Sequence, residues 1–264
     1  MRKVRGLPSP ILFCFLSSLC LCVSVVSPSS AAEWSHWRGP FQTGFSPETN
    51  LPAKWSPDGE NLVWKKPYGC RSTPLVMNGH VYLLNYVEVL GKPETIQERV
   101  MCLDANTGKL LWEHKFNVWH TEIVTVRLGW TNLAGDPKTG NVYAHGTQGL
   151  LLCLSKDGKL LWSRSLTEEF GRISGYGGRV TSPIVDGNLV IIGMVNSSWG
   201  AQAKGANRFV AFDKNTGEVV WWAEVPGQPR TYYSGLTVAV INGERLLISG
   251  TSDGAVVAMK VRTG

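Results

Sequence analysis

One hairpin is written three times into this 264-residue chain. Cys102-Leu-Asp-Ala-Asn-Thr-Gly-Lys-Leu-Leu-Trp112 returns as Cys153-Leu-Ser-Lys-Asp-Gly-Lys-Leu-Leu-Trp162, one residue shorter in the turn, and as Ala211-Phe-Asp-Lys-Asn-Thr-Gly-Glu-Val-Val-Trp221. A fourth copy opens at Ala258-Met-Lys-Val-Arg-Thr-Gly264. The turn glycines Gly108, Gly158, Gly217 and Gly264 are 50, 59 and 47 residues apart. Those intervals exceed ankyrin-type repeats and sit near propeller-blade periods. Asp104 and Asp213 have a structural task in their turns, capping their own backbone while the glycine takes φ > 0. The Trp four residues after each glycine lies on the strand leaving the hairpin. A large aromatic at one place per repeat packs between neighbouring sheets.

Upstream of each hairpin lies a second pair of short strands. Ser72-Thr-Pro-Leu-Val-Met-Asn-Gly-His-Val-Tyr82 matches Thr181-Ser-Pro-Ile-Val-Asp-Gly-Asn-Leu-Val190, with looser copies at 133–143 and 236–246. Each unit is therefore four strands in meander order. The spacing predicts inner strands near 71–77, 127–134, 179–185 and 236–241, second strands near 81–87, 141–145, 189–195 and 245–249, third strands near 99–104, 149–154, 208–213 and 255–260, and outer strands near 109–116, 159–166 and 218–225. The stretches 86–98 and 196–207 read as long loops. Four-stranded units at this spacing make an all-β chain, a β-propeller with about four blades present. Low charge (17% of residues) with 29 glycines and 11 tryptophans suits short strands and tight turns and excludes a helical bundle.

The first 32 residues read as a secretory signal: Arg2, Lys3 and Arg5, then an apolar run from Ile11 to Val26, then Ser30-Ala31-Ala32 as a cleavage site. The run is too short for the ~20 residues of a membrane span, so no stable span is expected after cleavage, and the product is periplasmic or extracellular. Cleavage would remove three basic residues and take the formal charge from +6 to +3. Without a Lys/Arg run, that charge excludes nucleic acid as the partner and leaves an unidentified protein or small molecule. Cys70, Cys102 and Cys153 remain, an odd number. Cys102, Cys153, Ala211 and Ala258 occupy one repeat position, which reads as a small buried slot. Residues 33–59 form a lead-in and 60–264 the repeats. Asp58-Gly-Glu-Asn-Leu-Val-Trp64 resembles the exit of a hairpin, so Trp64 is placed on an outer strand near 61–66. Either that strand closes a four-bladed ring, or the chain, stopping inside a turn, is a fragment of a larger one; the turn favours the fragment.

The unit Ala/Cys-x-Asp-x-x-Thr-Gly-x-x-x-Trp resembles the repeat of the PQQ-binding-like β-propeller family over residues 60–264, and Trp34-Ser-His-Trp-Arg-Gly-Pro40 is similar to the lead-in of its exported bacterial members. The resemblance implies seven or eight blades, hence a partial ring here. It implies either a non-catalytic assembly scaffold or a dehydrogenase that uses pyrroloquinoline quinone with calcium. The repeat motif is common to both groups, so it identifies fold rather than function. A dehydrogenase of this kind commonly has adjacent cysteines against the quinone, and there is no Cys-Cys pair in the sequence. There is no carboxylate cluster of calcium-loop density either.

His36, His80, His114, His120 and His145 show no zinc spacing and read as isolated surface or turn histidines. Arg71, Arg127 with Trp130, Arg179, and Arg230 with Tyr232 all enter inner strands. At one mouth of the channel they are candidates for an anionic or planar ligand, against the plainer reading of solvated arginines and blade-capping aromatics. Three functions are carried forward: an exported binding or assembly scaffold, a quinoprotein oxidoreductase or degenerate relative, and a carbohydrate-binding propeller suggested by exposed aromatics.

Overall fold

A computed structural model describes residues 33–89, 92–118, 128–147, 149–171, 180–195, 207–225, 235–251 and 254–264. The chain is all-β and forms part of a β-propeller. The first sheet is β1 (Leu75–Met77), β2 (His80–Val89), β3 (Lys92–Asp104) and β4 (Leu110–Asn117). The second is β5 (Ala134–Asp136), β6 (Asn141–His145), β7 (Leu150–Leu154) and β8 (Leu160–Ser165). The third is β9 (Ile184–Asp186), β10 (Leu189–Val195), β11 (Asn207–Asp213) and β12 (Val219–Val225). The fourth holds β13 (Thr237–Ile241), β14 (Glu244–Gly250) and β15 (Val256–Lys260). Every pairing is antiparallel between chain neighbours.

The register repeats with the sequence. Cys102 stands opposite Trp112, Cys153 opposite Trp162 and Ala211 opposite Trp221, and each pair is followed by a bulge. The bulge precedes the Asp-x-x-Thr-Gly turn. There Asp104 Oδ1 accepts from the Asn106 and Thr107 amides and the Thr107 hydroxyl, and Asp213 Oδ1 accepts from Asn215 and Thr216. Those donors hold the exposed Asp104 carboxyl below the usual carboxylate range.

Each tryptophan then docks on the turn of the following sheet. Trp112 Nε1 donates to Lys156 O at 2.8 Å, Trp162 Nε1 to Lys214 O at 3.0 Å and Trp221 Nε1 to Val261 O at 2.9 Å. The indole lies so close over the turn glycine that a methyl group on Gly158, Gly217 or Gly264 would come within 2.7–2.8 Å of the ring. Trp64 does the same to the first sheet, donating to Ala105 O at 2.8 Å over Gly108. Between the sheets lie apolar cores. Tyr82, Leu84, Val100 and Cys102 meet Leu133, Val142, Leu152 and Leu154. Tyr143, Leu151 and Cys153 meet Val190, Val210 and Phe212. Ile191, Phe209 and Ala211 meet Val238, Leu247 and Met259.

Several expectations need correction. Residues 62–66 form no strand, and the pairing that would close a four-bladed ring against β15 is not made. Trp64 keeps its dock without a sheet behind it. The stretch 86–98 is no loop: β2 and β3 pair on through Tyr86↔Glu98 and Val87↔Gln97 to Val89↔Lys92. Its polar composition hides an alternation that buries Ile96 and Glu98. Most of 196–207 lies outside the described residues. The first three inner strands begin later than expected, at Leu75, Ala134 and Ile184; before the first two, the Thr73 and Asn132 amides bond to side chains instead of to a ladder. Ala258 is exposed, since no outer strand or further sheet covers its face among the described residues. One helix, α1 (Leu166–Phe170), goes unforeseen; it buries Leu166 and holds Glu169 against Arg164.

Gly79 and Gly217 share φ +74°, but only Gly217 has an indole over it. Gly79→Ala is expected to cost about 1 kcal/mol of backbone strain. Gly217→Ala is expected to cost about 2 kcal/mol or more, because the Trp162 ring must also move. Urea midpoints of the two variants check the difference.

Candidate functional site

The inner strands of the four sheets line a hub, and a Ser or Thr at the entry to the first three is a built device, followed by x-Pro in the first and third. Ser72 Oγ donates to Leu84 O, Thr131 Oγ1 to His145 O and Thr181 Oγ1 to Gly193 O, at 2.7–3.0 Å. These bonds pin each entry to the second strand of its own sheet. The next residue reaches sideways. The Thr73 amide donates to Asn132 Oδ1 at 2.7 Å, and the Asn132 amide to Ser182 Oγ at 2.9 Å. Pro74 and Pro183 have no N–H to leave unpaired. Ion pairs join the opposite end: Lys214 to Asp136 at 2.7 Å, both side chains nearly buried, and Arg245 to Asp186.

An inner strand still has one free edge facing the axis, and the lead-in takes it in all four sheets. Trp34 bridges Val76 through both backbone bonds (2.8 and 3.1 Å). Ser35 O accepts from the Gly135 amide at 2.8 Å. His36 Nε2 accepts from Val185 at 3.1 Å, and Gln42 Oε1 from Val238 at 2.9 Å. Edge N–H groups that would otherwise be buried without acceptors are thus satisfied by one short segment. Gly39 makes its return possible: its φ is +78°, and a Cβ there would stand 2.9 Å from the Trp34 ring.

His36 and His145 are buried rather than on the surface. Burial lowers His36 to about 4, against the fields of Asp186 and Asp136. Burial likewise lowers His145 to about 4, although its Nδ1 lies 2.8 Å from Thr181 O. His145 Nε2 has no partner. Glu98, which no sequence signal singled out, is buried on β3 and receives the Gly129 and Thr147 amides and the Thr147 hydroxyl at 2.7–2.8 Å. Its burial pushes the carboxyl up while those donors pull it down. Its reach to residues 129 and 147 ties the first sheet to the loops of the second.

The proposed ligand mouth is only partly visible. Arg71 and Trp130 are exposed at the loop end. Arg127, Arg179, Arg230 and Tyr232 lie outside the described residues, as does His120. Cys70 is half-buried with its thiol against Ser72 O, and burial raises it. Cys102 and Cys153 are buried free thiols. Among the described residues no three His, Cys, Asp or Glu side chains converge as ligands for an ion. The described hub is lined instead by Trp34, Ser35, His36 and Gln42. These four residues include no carboxylate to hold a calcium ion.

A family model described as outer membrane protein assembly factor BamB matches residues 96–264. The chain belongs to this PQQ-repeat family. It is 28% identical over 216 residues to the quinohemoprotein alcohol dehydrogenase ADH IIB of Pseudomonas putida, covering 77% of this chain and 28% of that protein. It is 32% identical over 161 residues to the dehydrogenase subunit of the quinone alcohol dehydrogenase of Gluconacetobacter polyoxogenes, covering 58% and 19%. The chain thus spans less than a third of these curated relatives. Among solved structures, the quinohemoprotein alcohol dehydrogenase of Comamonas testosteroni superposes with a TM-score of 0.59 at 20% identity, over 89% of this chain and 41% of that one. At that identity the likeness is one of fold.

Two outcomes follow from the buried groups. Glu98→Ala leaves three donors without an acceptor and is expected to cost about 3 kcal/mol in urea unfolding. With folded values below 6.5, His36 and His145 contribute stability that is complete above pH 6.5 and is lost as pH falls toward 4. The loss reaches about 3 kcal/mol for each. Melting temperatures across that window check it, and His145→Asn, which keeps a donor for Thr181 O without titrating, is expected to flatten the decline.

Proposed function

We propose that this chain belongs to an exported, non-catalytic propeller that serves as a binding or assembly scaffold. The observation that carries this reading is the occupied hub: the lead-in lies on the inner edge of all four sheets. A quinone site of the kind the resemblance implies needs that axis for its cofactor. What is left for recognition is the loop end, where Arg71 and Trp130 are exposed and where Arg127, Arg179, Arg230 and Tyr232 belong by sequence. Loops on a rigid scaffold are the usual place for binding residues. Membership of a family described by an assembly factor supports the same reading.

Identity to alcohol dehydrogenases favours a second reading, a quinoprotein oxidoreductase or a degenerate descendant of one. The two separate on loading with pyrroloquinoline quinone and calcium. The scaffold reading expects no quinone absorbance to remain with the protein after gel filtration and no dye-linked alcohol oxidation. Retained quinone together with dye reduction would overturn it.

A further inference from the structure

We infer that Glu33–Gln42 is a clasp that closes the hub while His36 is neutral and lets go when His36 takes up a proton. The inference stands on the four contacts and does not depend on the scaffold reading. Three of the contacts use acceptors that do not titrate in the ordinary range: the Trp34 backbone, Ser35 O and the Gln42 amide oxygen. The remaining one uses an imidazole lone pair, His36 Nε2, on the Val185 N–H. Ser35 Oγ lies 3.2 Å from His36 Nδ1, placed to accept the Nδ1 proton of the tautomer that leaves Nε2 bare. An imidazolium has donors on both nitrogens and nothing to accept with. Protonation therefore sets a N–H against the Val185 N–H and places a charge in a buried site.

The charges around His36 offer no refuge for that proton. Asp186 on β9 is engaged by Arg245 of β14, and Asp136 at the end of β5 by Lys214 of the third sheet. On the segment itself, Arg38 stacks on Trp37, and Glu33 accepts from the Asn78 amide. Each aspartate already has a cation, so an imidazolium gains little from either.

The segment is also poised to leave. Gln42 holds φ +57°, a conformation that costs a non-glycine residue energy and that its bond to Val238 repays. Phe41 beside it and Phe45, Leu51 and Trp55 beyond it are exposed, so little burial ties the end of the segment and the following chain down.

Hydrogen exchange on the full chain, corrected for intrinsic rates, reads the clasp directly. Between about pH 7 and about pH 4.5, the amides of Val76, Gly135, Val185 and Val238 are expected to lose protection on the order of tenfold or more. Strands β7 and β11, read in a His145→Asn background so that the second buried imidazole does not contribute, are expected to lose much less. His36→Gln presents an amide oxygen in place of Nε2 and is expected to hold protection at both pH values. His36→Ala is expected to lose it at both. Unchanged protection in the parent chain, loss in His36→Gln equal to the parent's, or loss in β7 and β11 to the same extent would each overturn the inference.

Discussion

An indole laid over the glycine of the next hairpin turn sets the distance between neighbouring sheets, and much of the architecture answers to it. The ring needs a turn without a side chain, hence glycine at φ +65° to +83° under Trp64, Trp112, Trp162 and Trp221. Its N–H needs an acceptor at a fixed height, and a carbonyl two or three residues before the glycine supplies it in every case. Its cross-strand partner must be small, so Cys102, Cys153 and Ala211 fill that place. Tyr82 and Tyr143 then tilt against Trp112 and Trp162 at about 6 Å. Each docking bond contributes about 1 kcal/mol net, and burial of the aromatic contributes more.

The hub obeys a different constraint. Radial sheets bring their inner edges together, and each edge presents an unpaired N–H to a place that water reaches poorly. Side chains answer part of this: Ser72, Thr131 and Thr181 bind each entry to its own sheet, and Asn132 and Ser182 bind it to a neighbour. The lead-in answers the rest with three backbone groups and two side chains, including one imidazole. The apolar contacts between sheets are indifferent to pH over the range in which His36 titrates. Rigidity between the blades and responsiveness at the axis therefore come from separate sets of contacts.

The fold was legible because its signals are local. A turn type, a glycine and a tryptophan recur at fixed offsets, and each needs a neighbour of fixed chemistry. The hub was not legible for the opposite reason. Its bonds join residues 36 and 185, or 42 and 238, and nothing in the spacing of Trp34-Ser-His-Trp37 announces which edge each will meet. His36 and His145 looked like isolated polar residues because burial is a property of the packed sheets. Glu98 sat in a stretch whose charge argued for a loop, while its partners, Gly129 and Thr147, lie 31 and 49 residues away. For Arg71 and Trp130, the sequence showed that they precede inner strands, and the structure adds only their exposure.

Tryptophan docking repeats from sheet to sheet, and indole N–H exchange in the ¹⁵N-labelled protein reads it out. Four indole resonances, those of Trp64, Trp112, Trp162 and Trp221, should exchange far more slowly than those of the exposed Trp55 and Trp222. Trp162→Phe should remove one slow resonance and leave the others slow. Four docking indoles exchanging as fast as Trp55 would mean that the rings are not held on the turns.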